Sequence, residues 1–409
     1  MELSRSIPLP QIANAAARAV PSGWARMPGD ADVPHAPVGA RGRGAGVNPA
    51  NRFEDQRYLV AGEFLDDLRA EGQLSNQNVA TMVFDDATRS ILNPVDAPDL
   101  HFKWTLNPYR GCEHGCIYCY ARPGHEYLGL SSGLDFETKV FAKREAPELL
   151  RKELAKKSWQ GETIMMSGVT DCYQPLEADL KLTRRCLEVM LEFRQSVSII
   201  TKSSLILRDL DILKEMARLN LVHAAVSITT LDNRLAGAME PRAASPRARI
   251  DTVRTLAKAG IPTFVMAAPI VPGLNDHEIP SILREASRAG AHGAGYILLR
   301  LPYQIKTLFL EWLQRTVPQR AAKVEALIRD TRGGDLYDAR WKVRQRGEGA
   351  VADAIKATFH TFRRKYKLGE RLPPHDTSLF RRPEATEPGQ STGQLGLFET
   401  KTPPAMGGV

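Results

Sequence analysis

Cysteine is scarce in this chain, with five residues in 409. So few thiols, three of them clustered, do not form a disulfide framework, and a reducing, cytoplasmic setting is expected. Long apolar runs are also missing. No stretch approaches the roughly 20 consecutive apolar residues that cross a bilayer. The N-terminus carries no compact apolar block of the secretory kind, and Arg5, Arg18 and Arg26 beside the single acid Glu2 are only a faint echo of a transit peptide. What is common is ordinary: 43% hydrophobic and 25% charged residues suit a globular chain with a sizeable core.

Three of the five cysteines fall in one short stretch, Asn107-Pro-Tyr-Arg-Gly-Cys112-Glu-His-Gly-Cys116-Ile-Tyr-Cys119-Tyr120. The spacing is C-x3-C-x2-C. Three thiolates on one loop can each hold an iron of a [4Fe–4S] cluster, leaving the fourth iron open to a small molecule. A zinc site using His114 or a distant fourth ligand is the competing reading. Zinc knuckles pair two C-x2-C or C-x2-H arms, and Cys172 and Cys186 stand alone, so no second arm exists.

From about 102 to 317 the pattern alternates. Strands are expected at 103–106, 163–167, 197–201, 222–229, 263–268 and 295–301. Helices are expected around Leu187–Leu191, Leu210–Ala217, Ile250–Ala257, Ile279–Ala286 and Ile305–Trp312. Gly260 and Gly290 mark helix stops. Such alternation implies right-handed crossovers and a parallel sheet. Periodicity leaves a partial barrel and an open doubly wound sheet undecided. Residues 1–50, with the run Gly39–Gly46, read as a disordered tail. Residues 51–97 read as an ordered N-terminal extension, 98–335 as the core domain, 336–375 as a basic helical segment and 376–409 as a second disordered tail.

The cysteine motif with Tyr118, and the run through Tyr127-Leu-Gly-Leu130 and Leu134-Asp-Phe-Glu-Thr138, resembles the radical S-adenosylmethionine (SAM) superfamily. Within it, the stretch resembles the spore-photoproduct-lyase-related, DNA repair photolyase-like branch. The resemblance implies an α/β fold, a partial (β/α)6 TIM-type barrel, with a [4Fe–4S] cluster on Cys112, Cys116 and Cys119 and SAM as cofactors. A one-electron reductant of flavodoxin or ferredoxin type is implied as partner.

In barrel enzymes the site gathers at the carboxyl ends of the strands. Those ends carry Ser167-Gly-Val-Thr-Asp171, Thr201-Lys-Ser203, Ser227-Ile-Thr229 and Pro269-Ile-Val-Pro-Gly273. SAM presents an ammonium and a carboxylate. Thr170 or Asp171 is expected to accept from the amine, and Lys202 or Ser227 to hold the carboxylate or ribose. Ile270 and Gly273 are expected to line the adenine, which Tyr118 approaches from the cysteine loop. Ser167-Gly-Val-Thr-Asp171 stands where the superfamily commonly has Gly-Gly-Glu. Spore photoproduct lyases use a hydrogen-donating cysteine in their C-terminal part, and here no cysteine follows Cys186.

Two features point to DNA. Ten basic residues between Arg340 and Arg371 face three acids, interleaved with Trp341, Phe359, Phe362 and Tyr366. Such a segment suits a nucleic-acid surface, or a helix whose aromatics close the barrel. Gln394, Leu395, Leu397 and Phe398 resemble the peptide that docks on the bacterial DNA polymerase sliding clamp. The leading expectation is a radical SAM enzyme acting on nucleic acid in repair. The alternatives are a radical SAM enzyme acting on RNA, protein or a small molecule, and a non-catalytic iron–sulfur adaptor that binds DNA or the clamp.

Overall fold

The computed structural model describes residues 42–46, 48–53 and 79–383. Elsewhere it describes only the backbone of short strands at Ile7–Pro8, Trp24–Met27 and Arg57–Val60. The clamp-like peptide at Gln394–Phe398 lies outside the described residues, as do most of the two tails.

The strands with described side chains are β1 (Met82–Asp85), β2 (Leu92–Pro94), β3 (Trp104–Leu106), β4 (Tyr109–Arg110) and β5 (Lys139–Ala142). Then come β6 (Ile164–Met166), β7 (Val197–Thr201), β8 (Val222–Ser227), β9 (Thr263–Ile270) and β10 (Gly293–Leu298). All six expected strands are present, with ends shifted by a few residues.

β3, β6, β7, β8, β9 and β10 are parallel neighbours in chain order. A doubly wound sheet reverses its strand order at a switch point. No reversal occurs among these strands, which rules out the doubly wound order. Among the described residues no ladder joins β3 to β10. β2 instead adds antiparallel to β3, making a mixed seven-stranded sheet. Residues from the expected extension are therefore built into this sheet.

The helices are α1 (Leu134–Thr138), α2 (Ala146–Ala155), α3 (Leu182–Glu192), α4 (Leu210–Arg218) and α5 (Asn233–Met239). They continue with α6 (Pro246–Lys258), α7 (Ile279–Arg288), α8 (Ile305–Thr316), α9 (Pro318–Asp330) and α10 (Ala350–Lys365). The crossover helices turn one apolar stripe onto the sheet. Leu187 and Met190 of α3, Leu213 and Met216 of α4, and Val253 and Leu256 of α6 join one core with Ile199, Val226 and Val265 from the strands.

One expectation about the ends changes. Gly42–Gly46 was placed in a disordered tail, yet Arg43 and Ala45 are buried. Their polar groups find partners on α1, which a tail in water does not offer. Three aromatics of the basic segment pack on the core, while Trp341 is exposed. Phe359 is buried against Tyr296 of β10 with ring centroids 4.7 Å apart. Phe362 and Tyr366 also pack on the core, and the Gly369 carbonyl accepts from Ala294 N at 3.0 Å. Three of the ten basic residues form ion pairs: Arg344 with Asp99 at 2.5 Å, Arg340 with Glu348 at 2.8 Å, and Arg363 with Glu370.

Candidate functional site

The cysteine loop leaves the sheet directly after β3, at the carboxyl end of the parallel strands. It is anchored at both sides: Cys112 N donates to Phe136 O of α1 at 3.0 Å, and Ile117 N to Met239 O of α5 at 3.0 Å. Cys112 and Cys116 are buried and Cys119 half-buried. Burial pushes the Cys112 thiol well above its ordinary range, with Asp171 adding to it. Burial likewise raises Cys116 to about 12, although the Lys202 ammonium opposes the shift.

Facing this loop are the ends of β7 and β8. The Lys202 ammonium lies 5.8 Å from the centre of the Tyr118 ring. Burial alone would lower its affinity for a proton, but the charges of Cys116 and Glu240 reverse this and the net shift is upward. The Tyr118 hydroxyl donates to Glu240, which also receives Arg249 and, at 2.7 Å, the Thr229 hydroxyl. Arg249 continues to the Ser227 carbonyl at 3.1 Å. Among the described residues the Ser227 hydroxyl has no hydrogen-bond partner.

A sequence profile of the radical SAM superfamily matches residues 106–286. An uncharacterized protein of Mycobacterium tuberculosis is 36% identical over 244 residues, covering 59% of this chain and 72% of its own. The chain belongs to the radical SAM superfamily. A radical SAM isomerase of a Pseudomonas phage is 25% identical over 236 residues, 56% of this chain and 46% of that one. A solved mutant of spore photoproduct lyase superposes with a TM-score of 0.49 at 13% identity, covering 70% of this chain and 79% of that one.

As a radical SAM enzyme the chain uses a [4Fe–4S] cluster and SAM. Its donor set fits the cluster. Among the described residues no three His, Cys, Asp or Glu side chains form a group that could hold a single metal ion. A cubane takes each thiolate on a separate iron, so the three cysteines need not converge on one ion.

The radical SAM motif residues divide on inspection. The Asp171 carboxylate already receives three hydrogen bonds and faces a fourth nitrogen. Oδ1 receives Thr201 Oγ1 at 2.7 Å and Tyr173 N at 2.9 Å. Oδ2 receives Lys202 N at 2.8 Å and faces His114 Nδ1 at 3.4 Å. Asp171 thereby ties the end of β7 to the cysteine loop. The Thr170 hydroxyl donates to Tyr109 O at 2.9 Å. A Cβ on Gly273 would stand 2.6 Å from Leu327 of α9. Ile270 ends β9 within the core, its carbonyl accepting from Leu299 N at 2.9 Å. Lys202, Tyr118 and Ser227 remain grouped beside the loop.

Arg110 turns away from the loop to pair with Asp86 at 2.6 Å. His125 is buried, with Nε2 2.8 Å from Lys139 O, and Glu126 pairs with Arg52. Cys172 and Cys186 are core thiols. The sequence reading missed Arg122, Glu137, Glu240 and Arg249. All four are charged and wholly or almost wholly buried. Their sequence-level signal is charge within or next to largely apolar stretches, which does not name a partner.

Proposed function

We propose that this enzyme cleaves SAM reductively at a cluster on Cys112, Cys116 and Cys119 and turns the radical on nucleic acid. The observation that carries the reading is the placement of these three thiols just beyond β3, beside Lys202 and Tyr118. When bound, the cluster supplies one electron to the sulfonium of SAM, giving methionine and a 5′-deoxyadenosyl radical. The protein's own groups do the holding. Lys202 supplies positive charge for the methionyl carboxylate, and the free Ser227 hydroxyl is available to the ribose. Asp171 keeps Lys202 and His114 in register. The Glu240–Arg249 pair keeps the Tyr118 ring from swinging. The electron comes from a flavodoxin- or ferredoxin-type donor.

The nucleic-acid half rests on an arginine–aromatic rim beside the cysteine loop. Phe53, Tyr120, Tyr127 and Tyr303 are among the large hydrophobic side chains left exposed. Arg52 lies 3.9 Å from the Tyr303 ring centre and 4.7 Å from that of Phe53, and Arg300 lies 5.1 Å from that of Tyr120. Exposed rings beside guanidinium groups suit unpaired bases and their phosphates. A fluorescent single-stranded oligonucleotide titrated at rising salt tests this. The reading predicts binding that weakens with salt and drops about thirtyfold or more in a Tyr127→Ala/Tyr303→Ala double variant, at roughly 1–3 kcal/mol per stacked base. Identical binding by the variant, or none at low salt, contradicts it.

Docking of Gln394, Leu395, Leu397 and Phe398 on a sliding clamp is proposed alongside. Clamp binding that survives loss of Leu397 and Phe398 rules that mode out.

A further inference from the structure

The cysteine loop is covered by a segment about 70 residues upstream of it. Glu137 of α1, wholly buried, is where the two meet. Its Oε2 accepts from Gly44 N at 2.9 Å, and its Oε1 accepts from Ala45 N at 2.8 Å and from Arg122 Nη2 at 2.5 Å. Arg122, also wholly buried, donates from Nε to the carbonyl of Cys116 at 2.9 Å. One unbroken chain of charge-assisted hydrogen bonds therefore runs from the segment to the backbone of the middle cysteine.

Packing gives an independent link. A Cβ placed on Gly44 would stand 1.9 Å from the carbonyl oxygen of Gly115, inside the loop. Only glycine allows the two backbones to approach so closely. Ala45 shares an apolar cluster with Cys116, Ile117 and Tyr118. Arg43 fastens the other side, donating to Glu137 O at 2.7 Å, Val79 O at 2.7 Å and Thr81 Oγ1 at 3.1 Å. Thr81 in turn donates to Glu113 Oε1 at 2.6 Å, next to Cys112.

We propose that Arg43–Gly44–Ala45 is a strap that positions the cysteine loop for its cluster, with Glu137 as the latch. The strap rests on the reading that Cys112, Cys116 and Cys119 hold a [4Fe–4S] cluster. It acts through the carbonyl of Cys116 and the peptide at Gly115, so these are positioning residues. Outer-shell partners of this kind typically change metal affinity by about 10–100-fold.

The test compares wild type, Gly44→Ala and Arg43→Gln after anaerobic reconstitution. Gly124→Ala serves as the control, since a Cβ there meets nothing within 4 Å. The readouts are iron loss to a chelator, the EPR spectrum of the reduced cluster and its midpoint potential, with circular dichroism as the fold check. Expected are iron loss about tenfold faster or more and a changed EPR line shape in Gly44→Ala, at unchanged circular dichroism. Iron loss and EPR equal to wild type in a folded Gly44→Ala overturn the strap. If Gly44→Ala does not fold, Arg43→Gln, which leaves the Gly44 contact its space, decides by the same readouts. If wild type loads no cluster, the cofactor reading fails separately. Hydrogen exchange at the Gly44 and Ala45 amides then decides the strap, and exchange at unprotected rates overturns it.

Discussion

Arg122 and Glu137 meet at 2.5 Å with neither side chain exposed to solvent. A buried pair adds little over an apolar pair of the same volume, but breaking it strands a charge. Glu137→Ala would leave the Arg122 guanidinium and the Gly44 and Ala45 amides without their acceptor. A loss of about 3–5 kcal/mol in urea unfolding is expected. A loss below about 1 kcal/mol would mean that water reaches the guanidinium.

Asp171 makes stability acid-sensitive. Burial pushes its carboxyl up, but the His114 ring and the donors of Lys202 and Thr201 outweigh this and hold it at about 2. A depressed carboxyl stabilises the fold above its unfolded value near 4, and the contribution disappears as pH falls from about 4 to about 2. It amounts to roughly 2–3 kcal/mol at neutral pH, from about 1.4 kcal/mol per pKa unit. Thermal unfolding of wild type and Asp171→Asn across pH 2–7 should therefore converge at the acid end. A gap that stays constant with pH contradicts the assignment.

At the opposite end of the sheet, His223 and His375 stack with ring centroids 3.7 Å apart. Burial lowers both to about 4, and for His223 the neighbouring His375 and His292 add to the effect. These groups fold neutral, so their stabilisation is full above about 6.5 and fades as pH falls towards 4. The segment beyond Leu368 docks here through Asn220, which donates to Pro374 O at 2.9 Å. Hydrogen exchange of residues 371–381 should rise between pH 6.5 and 4.5 beyond the intrinsic pH effect, and a His375→Phe variant should suppress the rise. Equal behaviour of the two proteins would exclude the pair as its cause.

The basic segment yields a packing prediction. Phe359→Ala should cost about 3–5 kcal/mol, as for other buried aromatics. If Phe359 instead served an exposed nucleic-acid face, stability would barely change and oligonucleotide binding would fall.

Much of the frame was legible beforehand, for reasons visible in particular residues. Val197–Thr201 is a short β-branched run and Val222–Ser227 a short run of mainly small and apolar residues, both bounded by helix stripes, so their placement needs only local patterning. The three cysteines announce themselves by spacing. Position at a strand end does not reveal which partners a residue takes: Asp171 receives the protein's own donors, and Gly273 makes room for Leu327. Arg43 was assigned to a tail because its partner Glu137 lies 94 residues away, and no local pattern encodes that contact. Glu240 and Arg249 escaped for the same reason, since Glu240 receives Tyr118 from 122 residues upstream.

The most direct measurement is 5′-deoxyadenosine formation. The protein is reconstituted anaerobically with iron and sulfide, then given dithionite and SAM. The account predicts 5′-deoxyadenosine from wild type and none from Cys116→Ala. A wild-type protein that carries its cluster yet leaves SAM intact would contradict it.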